Sequence, residues 1–190
     1  MKFRYLLFLF SLCAGQLCAQ EQGPRPEAPP WGGAVLAGRA TGDASRSYGN
    51  DYGVEFTWQF LRDHWVQGRL RGSLINVNRG AGAPDGLYFT PQQAKFLVVS
   101  CDWIFRPTKA HGPYLLLGAG GNYHQADKYY VNTTDSATGT GLALAWGAGW
   151  LVGNQVEIEF RQDLLVVDFG IDSRTSRDAV CTSLVLRKRF

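Results

Sequence analysis

The sequence predicts an all-β fold, an eight-stranded antiparallel up-and-down transmembrane β-barrel. Three observations predict it: eight segments in which apolar and polar residues alternate, connections that are short and long in turn, and aromatic residues gathered at both ends of the segments. Each segment has about ten residues, which is enough to cross a membrane at a tilt, whereas strands of soluble proteins usually have roughly five or six. The 23 glycines and the single methionine also favour β-rich structure over a helical bundle.

The first thirty residues differ from the rest in composition. Residues 1–19 carry Lys2 and Arg4, then an apolar run, then small residues near Ala19, which is the layout of a cleaved secretory signal peptide. Residues 20–30, QEQGPRPEAPP, are rich in proline and have no apolar periodicity, so we expect an extended periplasmic leader. The barrel domain then covers residues 31–190.

The eight strands are predicted from alternation, because successive side chains of a strand point to opposite faces. In DYGVEFTWQF, residues 51–60, large apolar residues occupy every second position and small or polar residues fill the others. The segments 66–74, 141–150 and 156–164 alternate in the same way. Four further segments, 32–41, 94–105, 112–122 and 179–190, complete the set.

The connections between these strands fall into two groups. LRDH, RPTKAHG and VGN are short turns, whereas 42–50, 77–92, 123–138 and 169–178 are longer and polar. Short turns at one end of a barrel and long loops at the other are typical of outer-membrane barrels. We therefore expect both chain termini in the periplasm and the four long loops outside the cell.

Aromatic residues indicate which face meets lipid. One group falls at the short-turn ends: Trp31, Phe60, Trp65, Trp103, Phe105, Trp150 and Phe190. A second group falls near the long loops: Tyr48, Tyr52, Tyr88, Phe89, Tyr123, Tyr129, Tyr130 and Phe169. Two such belts around an apolar band are what the two headgroup regions of a membrane select, so the apolar faces should point outward and the polar faces inward.

The inward positions carry charged residues, which form the candidate site. This interior charge network consists of Glu55, Arg69, Arg71, Asp102, Glu157, Glu159, Arg161, Asp163, Arg187 and Arg189. An eight-stranded barrel is filled by side chains, and an unpaired ion in such an interior costs several kcal/mol. A plug of paired charges is the interpretation we favour, and a gated path for small ions is the alternative.

Two segments carry a resemblance to a known family. GPYLLLGAGGNYH, followed by LAWGAGWLVGNQVEIEFRQD, is similar to the glycine-rich strand and the acid- and arginine-bearing strand of small bacterial outer-membrane β-barrel proteins of the OmpA/OmpX-like kind. The resemblance implies a location in the bacterial outer membrane, contact with its lipid, and recognition of the C-terminal strand by the barrel-assembly machinery. Phe190, Leu186 and Leu184 match the family's assembly signal, whereas Lys188 stands where an aromatic or apolar residue is usual.

Few residues indicate chemistry. His64, His111 and His124 are scattered and no CxxC or HExxH pattern occurs, so we expect neither a metal site nor a cofactor. After removal of the signal peptide, Cys101 and Cys181 remain, and two free thiols are favoured over a disulfide because no framework spacing occurs. The formal charge of +3 comes without a basic stripe, so nucleic acid is not an expected partner.

The function expected from these features is a structural or surface-interaction role of an outer-membrane barrel, exerted through its extracellular loops on an unknown ligand, without enzymatic activity. A lipid A-modifying enzyme is one alternative, because Asp168, Ser173 and His124 all lie near the loop end. A small-ion pore and a soluble periplasmic carrier are the others.

Overall fold

The chain forms a closed barrel of eight antiparallel strands. The structure, a computed structural model, describes residues 30–41, 48–60, 65–79, 90–107, 111–130, 133–152, 155–166 and 179–190. The strands are β1 (Trp31–Thr41), β2 (Tyr48–Phe60), β3 (Val66–Arg79), β4 (Thr90–Phe105), β5 (Gly112–Tyr130), β6 (Thr133–Val152), β7 (Val156–Leu165) and β8 (Ala179–Arg189). The predicted signal peptide and nearly all of the predicted leader lie outside the described residues. Within those ranges, no helix is long and apolar enough to cross a membrane.

Each strand pairs with the next in sequence, and β8 pairs with β1 to close the sheet. The closing register runs from Gly32 opposite Arg189 to Thr41 opposite Val180. Beyond the ladder, the Phe190 amide donates a hydrogen bond to the Trp31 carbonyl at 3.0 Å. This architecture confirms the predicted up-and-down barrel.

Alternate residues of each strand face the interior and the outer surface. On β2, Val54 and Phe56 expose 53% and 52% of their surface, whereas Glu55 between them exposes 5%. The aromatic residues of the turn end, the end carrying the connections β2–β3, β4–β5 and β6–β7, are on the outer wall, where Trp31 stacks on Phe56 with ring centroids 5.3 Å apart. At the opposite loop end, Tyr52 and Tyr123 are also exposed.

The two cysteines are on opposite faces of the wall. Cys181 is buried in the interior, whereas Cys101 is half-buried on the outer face of β4, and both are free thiols. Strands β4 and β8 are not neighbours in the barrel, so this fold does not allow a disulfide between Cys101 and Cys181.

The connection predicted as a long loop over 123–138 is instead a hairpin. Strand β5 continues to Tyr130 and β6 begins at Thr133, with paired residues throughout. The polar composition of this segment suggests a loop, but the threonines of β6 favour extended backbone and the ladder satisfies its peptide groups. Strand β4 also starts earlier than expected, at Thr90, and it pairs with the extended part of β5.

Two glycines offer a test of how closely the strands approach. A Cβ added to Gly120 would lie 2.0 Å from the Val99 carbonyl oxygen, whereas a Cβ on Gly72 would meet nothing within 4 Å. We expect Gly120→Ala to destabilise the barrel by about 1–3 kcal/mol because backbone must move. Gly72→Ala should be neutral or stabilising, since it reduces the freedom of the unfolded chain. Urea unfolding in detergent micelles measures both, and equal effects would contradict the close approach at Gly120.

Candidate functional site: the charged interior

The interior holds a balanced set of buried charges. Among the described residues, six arginines and six carboxylates are buried, and they include all ten members of the predicted interior charge network: Asp51, Glu55, Arg69, Arg71, Asp102, Arg106, Glu157, Glu159, Arg161, Asp163, Arg187 and Arg189. Alternation puts each of them on the inner face of its strand, with Arg106 directly after β4. Balance matters because each buried ion needs an opposite charge to offset its lost hydration.

Glu157 is the centre of the layer nearest the turn end. Its Oε2 atom lies 2.6 Å from Arg187 Nη1, and its Oε1 atom lies 2.7 Å from Arg106 Nη2. Arg189 also donates to Oε1, through Nε at 2.8 Å and through Nη2. One carboxylate thus links the strand that follows the β6–β7 turn to the end of β4 and to both arginines of β8.

Glu159 lies one inward position higher on β7 and is bound as extensively. Its carboxylate oxygens lie 3.0 Å from Arg69 Nη1, 2.9 Å from Arg161 Nη1 and 3.2 Å from Arg187 Nη1. The Tyr114 hydroxyl donates to the same carboxylate at 2.9 Å. The contact with Arg69 crosses the barrel from β3 to β7, which are not neighbouring strands.

Glu55 and Asp163 complete the network toward the loop end. Glu55 contacts Arg187 Nη2 at 2.7 Å and pairs with Arg161 as well. Asp163 accepts from Arg71 Nη1 at 2.9 Å and from Arg161 Nε at 2.8 Å. These contacts join β2, β3, β7 and β8 through the middle of the barrel.

Asp102 fixes the two arginines of β3. It accepts from Arg69 Nη2 at 2.8 Å, lies 3.3 Å from Arg71 Nε, and accepts a hydrogen bond from the Ser100 hydroxyl at 3.0 Å. The side chains of Arg69 and Arg71 extend from β3 across the interior to β7. Asp102, on the neighbouring strand β4, contacts both guanidinium groups and so helps to orient them. The buried charges therefore connect strands across the interior. Arg69, Arg71, Arg161 and Arg187 each contact carboxylates from more than one strand, and Arg106 and Arg189 both contact Glu157.

Two buried charges, Arg106 and Asp51, are not among the predicted members of the interior charge network. Arg106 begins the predicted turn RPTKAHG, but it continues the inward parity of Asp102 and Ile104, and its guanidinium lies 4.7 Å from the Tyr114 ring centroid. Asp51 shares the polar parity of Glu55 on β2 and accepts from the Ser183 hydroxyl at 2.9 Å. Their shared parity with predicted members was the signal that could have identified both.

The loop-end part of the interior is largely apolar, contrary to the expectation that the polar faces of the strands point inward. Its buried cluster comprises Ala34, Leu36, Ala40, Ile75, Val77, Ala94, Phe96, Val98, Ala143, Leu165, Ala179, Cys181 and Val185. A small barrel must fill its interior with side chains, and it can do so with apolar as well as with paired charged groups. The buried charges are therefore concentrated toward the turn end, and the larger apolar cluster extends toward the loop end.

One of the three residues of the enzyme alternative, His124, lies in the loop-end part of the interior. His124 is buried on β5, its Nδ1 atom lies 2.9 Å from Asn122 Oδ1, and its ring centroid is 6.0 Å from that of Phe96. Asp168 and Ser173 lie outside the described residues. In the part of the chain that the structure covers, no group of three His, Cys, Asp or Glu side chains is arranged to hold a metal ion.

The residues of the predicted assembly signal are on the outer wall. Leu184, Leu186 and Phe190 are all more than half exposed on β8 or directly after it. Their inward neighbours on the same strand, Val185 and Arg187, are fully buried. The terminal strand therefore presents its apolar face to the outside along its lower part.

Comparison with known proteins shows the fold. No protein-family model matches the chain, and no curated protein is similar to it in sequence. Among solved structures, the attachment invasion locus protein Ail of Yersinia pestis has 15% identity and a TM-score of 0.57, with 86% of this chain and 99% of Ail covered. The N-terminal β-barrel domain of Pseudomonas aeruginosa OprF has 13% identity and a TM-score of 0.59, covering 86% and 100%.

Neisserial surface protein A is a third similar structure, with 14% identity, a TM-score of 0.55 and coverage of 84% of this chain and 96% of that protein. All three are small outer-membrane barrels of eight strands. The similarity extends over almost the whole of each of them, so it concerns the complete barrel and not one hairpin. The chain therefore has the fold of the small eight-stranded outer-membrane barrels.

Proposed function

We propose that the protein is an integral outer-membrane barrel that binds an external partner at the cell surface, with an interior closed to solutes. The apolar outer wall between two aromatic belts supports the membrane location, because a water-soluble barrel would not expose so many large apolar side chains. The paired charges and the apolar cluster above them support a closed interior. The proposed surface role is based on the length of the β5–β6 hairpin.

This hairpin extends beyond the strand that follows it. Pairing between β5 and β6 continues to Tyr130 opposite Thr133, whereas pairing between β6 and β7 ends at Ala143 opposite Leu165. The β6–β7 ladder thus does not reach residues 133–140 of β6, whose described pairing is with β5. At about 3.3 Å per residue this edge is roughly 25 Å long. A strand edge that projects this far beyond the neighbouring ladder is long enough to accept an extended peptide as a further strand.

The direction of β6 indicates what kind of partner fits this edge. In a second copy related by a two-fold axis along the membrane normal, β6 would also run from the loop end to the turn end. The two strands would then cross at about twice the usual strand tilt, roughly 70–90°, which prevents pairing. An extended segment of a polypeptide outside the membrane has no such restriction, so an extracellular protein is the proposed partner.

The similar barrels support a role at the surface. Ail is an attachment invasion locus protein, and it has also been solved in complex with the heparin analogue sucrose octasulfate. The name of Neisserial surface protein A gives its location as the cell surface. We propose a comparable contact with external molecules for this chain, through its own hairpin.

Amide exchange tests whether the edge is open. In a strand paired on one side only, alternate amides are bonded and the others face solvent. We expect the amide protons of residues 133–140 to alternate between slow and fast exchange, measured by NMR in micelles, while residues 143–150 exchange slowly throughout. Slow exchange at every position of 133–140 would mean that the edge is covered.

A shortened hairpin tests the surface role itself. Replacing residues 126–137 by Asn-Gly leaves Gln125 opposite Thr138, closed by a two-residue turn suited to hairpins. Cells carrying this variant should lose adhesion to immobilised extracellular-matrix protein and keep normal levels of folded barrel. Undiminished adhesion would exclude the hairpin as the binding element.

Surface labelling tests the orientation. A membrane-impermeant maleimide added to intact cells should label Thr138→Cys, which is exposed near the loop end, and spare His111→Cys, which is exposed at the turn end. Permeabilised cells should be labelled at both, and cells with the unchanged chain report any background from Cys101. Labelling of His111→Cys in intact cells would reverse the topology.

A further inference from the structure

The layer of the interior nearest the turn end has more arginine than carboxylate. This turn-end layer consists of Glu157 and the three arginines that contact it from the end of β4 and from β8: Arg106, Arg187 and Arg189. Arg187 also contacts Glu159, one inward position higher. Arg106 and Arg189, in contrast, pair with Glu157 and with no other described carboxylate. Two guanidinium charges thus depend on one carboxylate, which they share with a third.

Arg106 and Arg189 even use the same oxygen atom of that carboxylate. Glu157 Oε1 accepts from Arg106 Nη2 at 2.7 Å, and from Arg189 through Nε at 2.8 Å and through Nη2. Gln59 Nε2 approaches the same atom at 3.4 Å. A carboxylate oxygen offers about two lone-pair directions, so this atom has no capacity for a further donor.

Several guanidinium nitrogens of the turn-end layer have no acceptor. Arg106 is 3% exposed, and its Nε and Nη1 atoms are buried without a hydrogen-bond partner among the described residues. The same holds for Arg187 Nε, whereas the rest of the described interior has one such guanidinium atom, Arg71 Nη2. The Tyr114 ring beneath Arg106 supplies no acceptor atom for these donors. Buried charged donors are nearly always bonded to protein, water or an ion, so the turn-end layer calls for an additional acceptor.

The carboxylate that balances the interior as a whole is too far away to balance this layer. Among the six buried carboxylates that the structure describes, Asp51 alone contacts no described arginine, and it accepts from the Ser183 hydroxyl. Asp51 lies eight positions along β2 from Gln59, which is beside Glu157. At about 3.3 Å per residue and a tilt of about 40°, this separation is roughly 20 Å. The charge network without Asp51 therefore has one positive charge in excess, and the shared carboxylate locates it at the turn end.

We propose that the turn-end layer binds one small monovalent anion of the size of chloride, with Arg106 and Arg187 as donors and Arg189 as a further positive charge. An anion supplies both the acceptor and the negative charge that the layer lacks, whereas a water molecule supplies the acceptor alone. A single negative charge matches the excess of one. Since the donor atoms are buried, the ligand must be small enough to be enclosed by the barrel. The proposed site is in the interior, so it does not depend on the external partner of the hairpin.

The test measures whether chloride stabilises the folded barrel. The full-length mature chain in zwitterionic detergent is unfolded in urea at constant sodium concentration, while chloride replaces gluconate, an anion too large to be enclosed. If one anion binds to the folded state alone, each tenfold rise in chloride above its Kd should raise the ratio of folded to unfolded chain about tenfold. Broadening of the chloride NMR signal by the folded barrel, reversed by added bromide, measures binding directly.

Arg106→Gln should abolish both the chloride dependence of unfolding and the broadening of the chloride signal. Because it also removes the excess charge, this variant should have nearly the stability of the unchanged chain in gluconate and a lower stability in chloride. Arg39→Gln, which removes an exposed arginine of the outer wall, is the matched control and should keep both responses. If Arg106→Gln does not refold, Arg189→Gln removes one charge from the same layer and should weaken both responses.

Two results would overturn the proposal. The first is a chloride dependence that is equal in the unchanged chain and in the variant of the turn-end layer, which would be a general effect of salt. The second is a stability that does not distinguish chloride from gluconate, which would mean that a neutral acceptor is sufficient for the buried donors.

Discussion

Glu159→Ala is expected to destabilise the barrel by about 3–5 kcal/mol, the usual effect of removing one partner from a buried ion pair. The side chain is fully buried and accepts from Arg69, Arg161 and Arg187. Its loss leaves the balanced interior with an excess positive charge that water cannot reach. Urea unfolding of the refolded barrel in lipid vesicles measures the change in free energy.

The double variant Glu159→Ala/Arg187→Ala is expected to lose less stability than the sum of the two single variants, because it restores the balance of charge. Lys188→Ala provides the matched control. It removes a cation from the next position of the same strand, but on the exposed outer face, and we expect a change within about 0.5 kcal/mol. Additive single effects, or equal losses for Arg187→Ala and Lys188→Ala, would contradict a paired interior.

Deletion of Phe190 is expected to cause the largest loss of assembled protein in cells. The deletion removes an exposed aromatic ring of the turn-end belt and the amide that donates to the Trp31 carbonyl. If the terminal residue is recognised during assembly, folded barrel in the outer membrane should fall and unfolded precursor should accumulate in the periplasm. Heat-dependent gel mobility of the membrane and periplasmic fractions measures both forms.

Phe190→Ala distinguishes recognition of the aromatic ring during assembly from closure of the barrel by the backbone. It removes the ring and keeps the amide that donates to the Trp31 carbonyl. We expect it to assemble as poorly as the deletion in cells, and to refold in detergent almost as well as the unchanged chain. Normal assembly of both variants in cells would show that Phe190 is only a packing residue. Poor refolding of Phe190→Ala in vitro would assign the ring to stability.

Alternation predicted the barrel and its faces because the two faces of β2 and β7 differ so strongly in polarity. It could not predict the apolar cluster in the loop-end part of the interior. Residues 96–99 of β4 read Phe-Leu-Val-Val, which is apolar on both faces. The pattern therefore does not indicate which of these side chains point into the barrel. The same is true of Leu74, Ile75 and Val77 on β3.

The members of the charge network could be predicted from parity, but not all of their partners. The sequence places Glu157 and Glu159 near the β8 arginines because the strands are adjacent, and Glu157 is indeed opposite Arg187 in the ladder. The contact between Arg69 and Glu159 depends on the width of the closed barrel, which no local pattern contains. The hairpin at 123–138 was missed for a related reason, since its strands are stabilised by each other and their composition is that of a loop.

The pairing of the first strand with the last has a consequence for how the molecule forms. Gly32 and Arg189 are neighbours in the sheet although almost the whole domain separates them in sequence. Contacts between such distant residues make folding slow, because the entropy of bringing them together is lost before the contacts form. Until β1 meets β8, both strands keep an unpaired edge that can join other chains. Protection of these two open edges until the barrel closes is therefore a kinetic requirement of this topology, however stable the finished barrel is.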